Sequence, residues 1–448
     1  MFDVNIAAIL IVSLLVLVAL GVHIAIALGV SSALGIYLVT GEVQVVSTML
    51  GSTAYESLRD YVFAVIPLFM LMGEFIGRSG AVTDPYRGIN RLLKRLPGRL
   101  AIATVLGNAL FSFVTGVSIA SAAAFSRVSY PEMKRFGYHK GFALGVVAGS
   151  SCLGMLIPPS VLMIVWGILT EKSIGQIFLA GVLPGLLLTA LYVVYIFVCA
   201  LATPQVVGGG ADVNADEEVE TTSLWSVAVS FGGILAVILA VLGGIWFGVF
   251  TPTEGAGAGA LIGLVLAVAK GMRYKDLIES ILSVGRTSAP ILLLLVTASL
   301  YSRALAMTGV SNAIQDLFLG SGLTPFLVLA IMVLVWFLLG MVIDSISIML
   351  LTVPIFAPIA EQLGYNPIAF AIVGILAIEA GLLTPPFGLL IYTVKAAVQD
   401  EDPGISLVQI FKSSTPYWVI MLFCMLLIIL FPQIATVLPD LAFKQGAG

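Results

Sequence analysis

The sequence predicts an all-α polytopic membrane protein, with about ten transmembrane helices and two re-entrant hairpins in two repeats of inverted topology. Three observations support this expectation: scarce charge, a series of long apolar segments, and motifs that recur at one fixed spacing. Of the 448 residues, 60% are hydrophobic and 10% are charged, whereas soluble domains carry about 25% charged residues. The composition therefore excludes a soluble enzyme, a disordered chain and a nucleic-acid-binding protein, and it indicates a chain embedded in the lipid bilayer.

Apolar segments long enough to cross a bilayer give the spans in order. A transmembrane helix needs about 20 apolar residues. The first apolar stretch has no Lys or Arg before Arg59, so it lacks the basic start of a cleavable signal peptide and we expect two spans there. The predicted spans are 5–22, 24–40, 61–79, 141–168, 176–202, 223–249, 254–270, 280–307, 366–396 and 407–435.

Two further apolar stretches, 100–127 and 325–357, resemble a hairpin more than a single span. Each has a long first arm, a polar break of small residues and a shorter second arm bounded by Pro or Arg. We expect both to enter and leave the membrane on one side, as re-entrant hairpins. Irregular backbone at that depth is tolerated only where protein or a water-filled cavity satisfies its polar groups.

An internal repeat relates the two halves of the chain. Matches of Leu or Ala carry little weight in so apolar a sequence, but Ser, Gly, Tyr and Pro positions also recur without a gap. Recurrence at one spacing is typical of a duplicated structural unit. At a shift of 227 residues, the recurring pairs are Ser118-Ile119 with Ser345-Ile346, Gly137-Tyr138 with Gly364-Tyr365, and Pro158-Pro159 with Pro385-Pro386.

The segment between the repeats is acidic and rich in glycine. It contains three consecutive glycines and five acids, with no Lys or Arg, a composition typical of a flexible, solvated connector. The chain therefore divides into a first repeat, 1–203, with hairpin 100–127 and broken helix 141–168; the linker, 204–222; and a second repeat, 223–448, with hairpin 325–357 and broken helix 366–396.

Basic residues predict opposite orientations for the two repeats. Lys and Arg flank the first hairpin, at 87–99 and 134–140, whereas the matching second-repeat loops, 308–324 and 358–367, have none. Cytoplasmic loops are enriched in Lys and Arg. With five crossings in each repeat, this rule predicts that both termini lie outside and that the acidic linker lies inside the cell.

Each repeat contains an interrupted helix at a matched position. Gly149–Gly154 precedes Pro158-Pro159, and Ala380-Gly381 precedes Pro385-Pro386. A Pro removes a backbone donor and disfavours helix at the residue before it. Freed carbonyls and hydroxyls suit a small hard cation such as sodium, while helix N-termini attract a carboxylate. A simple Pro kink explains one break, but two matched breaks favour an inverted-repeat transporter, whose substrate site lies where the repeats meet.

Three segments resemble the large membrane subunit of the tripartite ATP-independent periplasmic (TRAP) transporters of bacteria, and the likeness covers essentially the whole chain. They are GSSCLGMLIPPS at Gly149–Ser160, DSISIMLLTVPIFAP at Asp344–Pro358 and EAGLLTPPFGL at Glu379–Leu389. The resemblance implies a sodium-driven, elevator-type secondary transporter of the bacterial inner (cytoplasmic) membrane, with a periplasmic N-terminus. It also implies two partners: a small four-helix membrane subunit (the Q subunit), expected as a separate chain, and a periplasmic substrate-binding protein (the P subunit) that delivers an organic acid.

In this family and its relatives, sodium sites form between a hairpin tip and the facing helix break. The resemblance therefore implies two sites, with Na⁺ as the coupling ion. The first would use Ser118, Ser121, Gly149, Ser150 and Ser151, and the second Asp344, Ser345, Ser347, Gly381 and Thr384.

Charged residues in apolar surroundings are costly and usually functional. Arg303 suits a bidentate bond to a substrate carboxylate, but an ion pair or snorkelling to the outer interface explains it as well. Glu379 suits a cation site or the capping of a half-helix. The candidate substrate contacts are Arg303, Glu379 and the prolines of both breaks, Pro158, Pro159, Pro385 and Pro386.

Three classes of function stay open at this level. The first is the tripartite transporter for a C4-dicarboxylate, a sialic acid or a related carboxylate. The second is a stand-alone sodium- or proton-coupled dicarboxylate symporter or antiporter of similar architecture. The third is a membrane enzyme or a channel. The missing HExxH, GxSxG and GxxxxGK[ST] motifs argue against an enzyme, and the absence of a single charge-lined pore helix argues against a channel.

Overall fold

The computed structural model describes residues 4–80, 83–208, 224–309, 320 and 322–444. Within these ranges the chain is helical, and its β-structure is confined to one isolated antiparallel bridge between Tyr138 and Val207. Eight of the described helices are long and apolar enough to cross a membrane. The predicted class, an all-α polytopic membrane protein, is confirmed.

The first repeat begins with two helices of 16 and 17 residues, where the sequence predicts the first two spans. A short 3₁₀ turn, Tyr61–Ala64, leads into the fourth helix. The helices are α1 (Val4–Ala19), α2 (Ile24–Thr40), α3 (Val43–Arg59), α4 (Val65–Arg78), α5 (Thr83–Leu92), α6 (Arg99–Thr115), α7 (Ser118–Arg135), α8 (Lys140–Ser151), α9 (Leu153–Leu156), α10 (Val161–Thr170) and α11 (Ile174–Ala202).

The second repeat follows the linker, of which 209–222 lies outside the described residues. Its first span changes to a π-helical turn at Leu239–Gly243 before a last short helical turn. The helices are α12 (Leu224–Ile238), α13 (Gly244–Trp246), α14 (Pro252–Ala269), α15 (Tyr274–Thr308), α16 (Pro325–Gly340), α17 (Ser345–Gln362), α18 (Pro367–Gly381), α19 (Leu389–Ala397), α20 (Leu407–Leu430) and α21 (Gln433–Lys444).

The helix pairs α6–α7 and α16–α17 lie where the sequence predicts the two hairpins. Their second arms are 18 residues each, against 17 and 16 for the first arms, so the second arms are not shorter than the first. The predicted ends, at Arg127 and before Pro358, are too early, because α7 continues through Pro131 to Arg135 and α17 through Pro358 to Gln362. Prolines are tolerated within membrane helices because neighbouring groups satisfy the freed carbonyls.

Matching helices of the two repeats begin 227 residues apart, which is also the spacing of the repeated sequence motifs. Helices α7 and α17 begin at Ser118 and Ser345, and α8 and α18 begin at Lys140 and Pro367. These starts are 227 residues apart in both pairs, as are the sequence matches. The two hairpins and the two broken helices are therefore equivalent elements of the fold.

Helices of the two repeats pack directly on each other. α4 lies against α14, α2 against α15, and α8 against α20. The last contact is close because α8 presents glycines: a Cβ at Gly145 would lie 2.3 Å from the Ser413 carbonyl oxygen, and one at Gly149 would lie 2.1 Å from Cγ of Tyr417. Small residues that let helix backbones approach are typical of membrane helix interfaces.

A buried aromatic cluster also joins the repeats. The Trp166 ring of α10 lies 5.8 Å from both Trp336 of the second hairpin and Phe370 of α18, centroid to centroid. The Trp336 indole donates a hydrogen bond of 2.7 Å to the Thr352 hydroxyl. Edge-on aromatic contacts of this kind add roughly 0.5–1.5 kcal/mol each beyond the area buried. The cluster fixes the first broken helix against the second hairpin.

Candidate functional site

The tip of the first hairpin is seated on the break of the first broken helix. α6 ends at Thr115 and is followed by Gly116, whose φ is 60°. The Gly116 carbonyl accepts a hydrogen bond of 3.1 Å from the Val161 amide, and a Cβ at Gly116 would lie 2.4 Å from the Pro159 carbonyl oxygen. Both the positive φ and the close approach favour glycine at this position.

The second hairpin tip is seated on the second break in the same manner. The Met341 carbonyl accepts a hydrogen bond of 3.2 Å from the Phe387 amide. A Cβ at Gly381 would lie 2.5 Å from the Phe337 carbonyl oxygen. The structure therefore brings each predicted hairpin tip to the predicted break of its own repeat.

The first tip presents buried hydroxyls that have no hydrogen-bond partner. Ser118 and Ser121 lie one turn apart on α7, and the Oγ atom of each is buried and unpaired. The residue before α7 is Val117, which gives the helix no side-chain cap. A helix N-terminus carries partial positive charge and free backbone N–H groups. This tip thus combines unpaired oxygen donors with an uncapped helix end.

The other predicted residues of the first site lie at the end of α8. The Ser150 hydroxyl donates to the Val146 carbonyl at 2.7 Å and accepts from the Asn108 amide at 2.6 Å. The Ser151 hydroxyl donates to the Ala148 carbonyl at 2.7 Å. The Gly149 carbonyl accepts from the Cys152 amide at 3.4 Å.

Asn108 is a polar residue that the sequence analysis did not single out. It is buried on α6, and its Oδ1 atom has no hydrogen-bond partner. A side-chain amide in the otherwise apolar first arm of a hairpin is a signal that the sequence does contain. Its free oxygen adds a further hard donor on the first-repeat side.

The second tip is organised around carboxylates. Asp344 precedes α17 and caps it, since its side chain accepts from the Ser347 amide at 3.1 Å and from the Ser347 hydroxyl. The Ser345 hydroxyl donates to the Glu379 Oε1 atom at 2.9 Å. The Thr384 hydroxyl donates to the Gly381 carbonyl at 2.7 Å. The predicted residues of the second site therefore lie together, and most of their polar atoms are already paired.

The unpaired oxygens suit a hard cation. Four buried side-chain oxygens near the tips and breaks have no hydrogen-bond partner: those of Ser118, Ser121, Asn108 and the Oε2 atom of Glu379. An unsatisfied buried polar group costs roughly 1–3 kcal/mol, which coordination of a cation would relieve. Oxygen donors suit hard cations rather than soft transition metals, and the described residues contain no group of three or more His, Cys, Asp or Glu that could hold a metal ion.

The predicted substrate contacts fall in different places. The prolines Pro158-Pro159 and Pro385-Pro386 form the two breaks, each with a cis peptide bond. Arg303 lies on α15, where its guanidinium pairs with the Glu56 carboxylate of α3 at 2.5 Å. Its charged contact is thus to another helix and not to a residue of either tip. Its role towards a substrate stays a prediction.

A charged cluster outside the spans joins the first hairpin to the second repeat. Asp402, in the loop before α20, pairs with Lys140 at 2.7 Å and accepts a hydrogen bond of 3.0 Å from the Tyr130 hydroxyl. The Lys140 hydrogen bond, with that of Tyr130 and the charge of Lys134, lowers the pKa of the Asp402 carboxyl below its ordinary value. No local sequence pattern marks Asp402, because its partners Tyr130 and Lys140 are distant along the chain.

Comparison with known proteins assigns the architecture to a family. The family described as "Tripartite ATP-independent periplasmic transporter, DctM component" matches residues 11–434. The chain is 31% identical to the C4-dicarboxylate TRAP transporter large permease protein DctM of Pseudomonas aeruginosa, covering 87% of this chain and 89% of that protein. It is 28% identical to the sialic acid TRAP transporter large permease protein SiaM of Vibrio cholerae, with coverages of 89% and 92%.

The chain is also similar to a third TRAP permease and to one solved transporter structure. The ectoine TRAP transporter large permease protein TeaC of Halomonas elongata is 28% identical, over 86% of this chain and 88% of that protein. Among solved structures, the YdaH transporter of Alcanivorax borkumensis matches with a TM-score of 0.62 at 14% identity, covering 91% of this chain and 90% of the other. At that identity the structural likeness concerns the fold alone.

Proposed function

The chain belongs to the DctM-component family of tripartite ATP-independent periplasmic transporters, and we propose that it uses sodium to drive uptake of an organic acid. It is the large permease subunit of such a transporter and not an enzyme. The family works together with a small membrane subunit and a periplasmic binding protein. Beyond family membership, we propose sodium as the driving ion, an organic acid as the substrate, and specific residues that bind the ion and the substrate.

The observation that carries the proposal is the set of unpaired buried oxygens at the matched tips and breaks. In the proposed mechanism, one sodium ion binds Ser118 and Ser121 at the first tip, with Gly149, Ser150 and Ser151 at the facing break. A second ion binds Asp344, Ser345 and Ser347 with Gly381 and Thr384. Backbone carbonyls supply much of the coordination, because interrupted helices free them.

A carboxylate is the substrate group that best suits this place. Helix N-termini attract anions through their backbone N–H groups, and α7 begins without a side-chain cap. The names of the three relatives describe transporters of C4-dicarboxylates, sialic acid and ectoine. Each of these molecules contains a carboxylate. The binding protein would select among such acids before delivery to the membrane.

In the proposed orientation the N-terminus is periplasmic and the linker is cytoplasmic, in the bacterial inner membrane. The hairpins and broken helices would move together as an elevator past a scaffold. The packing of α2 on α15 and of α4 on α14 supplies such a scaffold, and the aromatic cluster of Trp166 and Trp336 joins parts of the two repeats into one unit.

Uptake by proteoliposomes tests the proposal. The vesicles contain this chain with its small subunit, and radiolabelled organic acids are offered with the cognate binding protein. We expect accumulation only with an inward sodium gradient, and none when potassium replaces sodium or when the binding protein is left out. A Ser118→Trp or Ser345→Trp variant should abolish uptake while inserting normally, because the indole fills the cation position.

Other outcomes would assign the chain differently. Full uptake without any binding protein would indicate a stand-alone symporter. Uptake driven by a pH gradient in sodium-free buffer would replace sodium by the proton. Normal uptake in both tryptophan variants would contradict the residue assignment.

A further inference from the structure

Glu379 is a buried carboxylate within the second broken helix, two residues before Gly381. Its side chain is 1% exposed. One oxygen accepts the hydrogen bond from Ser345, and the other has no hydrogen-bond partner. In the part of the chain that the structure describes, no Lys or Arg pairs with it. An unpaired charge at this depth is costly unless a cation offsets it.

The first repeat reaches the same carboxylate from the opposite side. Ser118 packs on the first break, since a Cβ at Gly154 would lie 3.1 Å from the Ser118 Cα atom, and the Cys152 thiol of that break lies 3.9 Å from the Glu379 backbone carbonyl. Ser118 begins α7 and Ser345 begins α17, so the N-termini of both second hairpin arms lie at the breaks that meet around this carboxylate. Each helix end places partial positive charge towards it.

The repeat spacing explains why these groups meet. Ser118 and Ser345 are equivalent positions, and so are Cys152 and Glu379, which are 227 residues apart. A residue that contacts its own equivalent lies close to the axis that relates the repeats. Glu379 is therefore near that axis, between the two tips, and its first-repeat equivalent is an uncharged thiol.

The two tips consequently share one charge. The first tip has hydroxyl and amide oxygens but no carboxylate of its own among the residues described above, whereas the second has Asp344 as well. Building on the sodium-driven function proposed above, we propose that Glu379 is a positioning residue for both cation sites. Its charge raises cation affinity at both tips, and its bond to Ser345 together with the contact of Cys152 makes the occupancy of one tip depend on the other.

Thermal stabilisation by sodium tests this role without transport. The purified full-length chain is heated in increasing NaCl, with choline chloride keeping the ionic strength constant. In the wild type we expect a sodium-specific rise in Tm. In Glu379→Gln, the sodium concentration for half-maximal stabilisation should rise about tenfold or more. Gln keeps an acceptor for Ser345 and removes an unpaired charge, so the Tm in choline alone should be unchanged or higher.

Double-mutant cycles separate a shared charge from one that serves the second tip alone. Ser118→Ala and Ser345→Ala are each combined with Glu379→Gln. The half-maximal sodium concentration should be non-additive by about threefold or more in both cycles. Ser129→Ala is the matched control, because Ser129 is also buried on α7 and its hydroxyl bonds only the Phe125 carbonyl, at 2.7 Å. That cycle should be additive.

Three results would overturn the inference. If Ser118→Ala is additive with Glu379→Gln while Ser345→Ala is not, the carboxylate serves only the second tip. If Glu379→Gln lowers the Tm in choline and leaves the sodium dependence intact, its role is structural. A wild-type Tm that does not respond to sodium contradicts the sodium-driven function itself, and with it the shared charge.

Discussion

At the first hairpin tip α7 follows Val117, and at the second tip α17 follows Asp344. The backbones of the two tips are seated alike, each through one amide-to-carbonyl bond and one glycine contact with its own break. Their side chains differ: the oxygens of Ser118 and Ser121 are unpaired, while Asp344 and Ser347 bond each other. The two tips therefore share a similar backbone contact with their breaks and differ in how their side-chain oxygens are paired.

The outer ends of the hairpins differ in a comparable way. Lys134, at the end of α7, pairs with Glu401 of the second repeat at 3.1 Å. The equivalent residue at the end of α17 is Glu361, and it pairs with Lys172 of the first repeat at 2.9 Å. The same position is thus bridged in both hairpins with the signs reversed. On the first-hairpin side, Asp402 adds further contacts with Lys140 and Tyr130.

The largest expected effect comes from disrupting the close contact between each hairpin and its break. Gly116 supplies this contact from the first tip, and Gly381 supplies it from the second break. Gly116→Ala and Gly381→Ala place a Cβ 2.4 and 2.5 Å from a backbone oxygen. Overpacking of this kind costs about 1–3 kcal/mol, so uptake should fall about tenfold or more in both variants. Gly257→Ala on α14 is the control, because a Cβ there meets nothing within 4 Å. Normal uptake in only one of these two variants would show that the two hairpin–break contacts are not equivalent.

The next largest effect is expected at Asp344, the carboxylate that precedes α17 at the second tip; Val117 occupies the equivalent place at the first tip. Asp344→Asn keeps a capping acceptor but removes the charge, whereas Asp344→Ala removes both, with a capping loss of about 1 kcal/mol. If the charge binds sodium, both variants should raise the half-maximal sodium concentration for uptake about tenfold. If Asp344 only caps α17, the Asn variant should behave as the wild type does.

The pH dependence of stability should distinguish the two outer ends. The pKa of Asp402 is lowered by its bond to Lys140, so its contribution is present above the ordinary Asp pKa of about 3.9 and is lost as pH falls through the lowered value. At pH 7, Asp402→Asn should lower Tm more than Glu361→Gln does, because the Asp402 side chain is 12% exposed and that of Glu361 is 42% exposed.

The pH dependence of the Asp402→Asn variant, measured against the wild type, checks this explanation. As the pH falls from 7 through the lowered pKa of Asp402, the Tm difference between wild type and Asp402→Asn should shrink towards zero. A difference that stays constant over that range would mean that the carboxylate charge is not what stabilises the cluster.

The smallest effect is expected at Arg303. Its pair with Glu56 joins two side chains that are 43% and 59% exposed, and such pairs contribute about 0–1 kcal/mol. Arg303→Ala should therefore leave KM for the organic acid within about twofold. A KM increase of about tenfold or more would instead identify Arg303 as a substrate contact.

Much of the fold was predictable because it depends on local and periodic features. The repeat spacing predicted equivalent hairpins, and the starts at Ser118 and Ser345 lie at that spacing. The ends of the second arms were not predictable from Pro131 and Pro358, because tertiary packing decides whether a helix continues through a proline.

The predicted cation-site residues lie at the tips and breaks, because glycine and proline patterns mark interrupted helices, whereas Arg303 lies on α15 and pairs with Glu56; their roles stay predictions. Asn108 and Asp402 were missed for a different reason. Asn108 meets Ser150 from 42 residues away, and Tyr130 meets Asp402 from 272 residues away. The first contact depends on how helices pack within one repeat and the second on how the two repeats pack, and a local sequence pattern does not contain that information.

Sodium binding at saturation tests most directly whether each of the two tips forms its own cation site, although the side chains at the two tips differ. Bound ²²Na⁺ is counted per chain for the wild type, for Ser118→Trp, for Ser345→Trp and for the double variant. We expect each single variant to lose part of the bound sodium and the double variant to lose the sum of the two losses. Binding that is unchanged in either single variant, or abolished entirely by one of them, would contradict two separate sites.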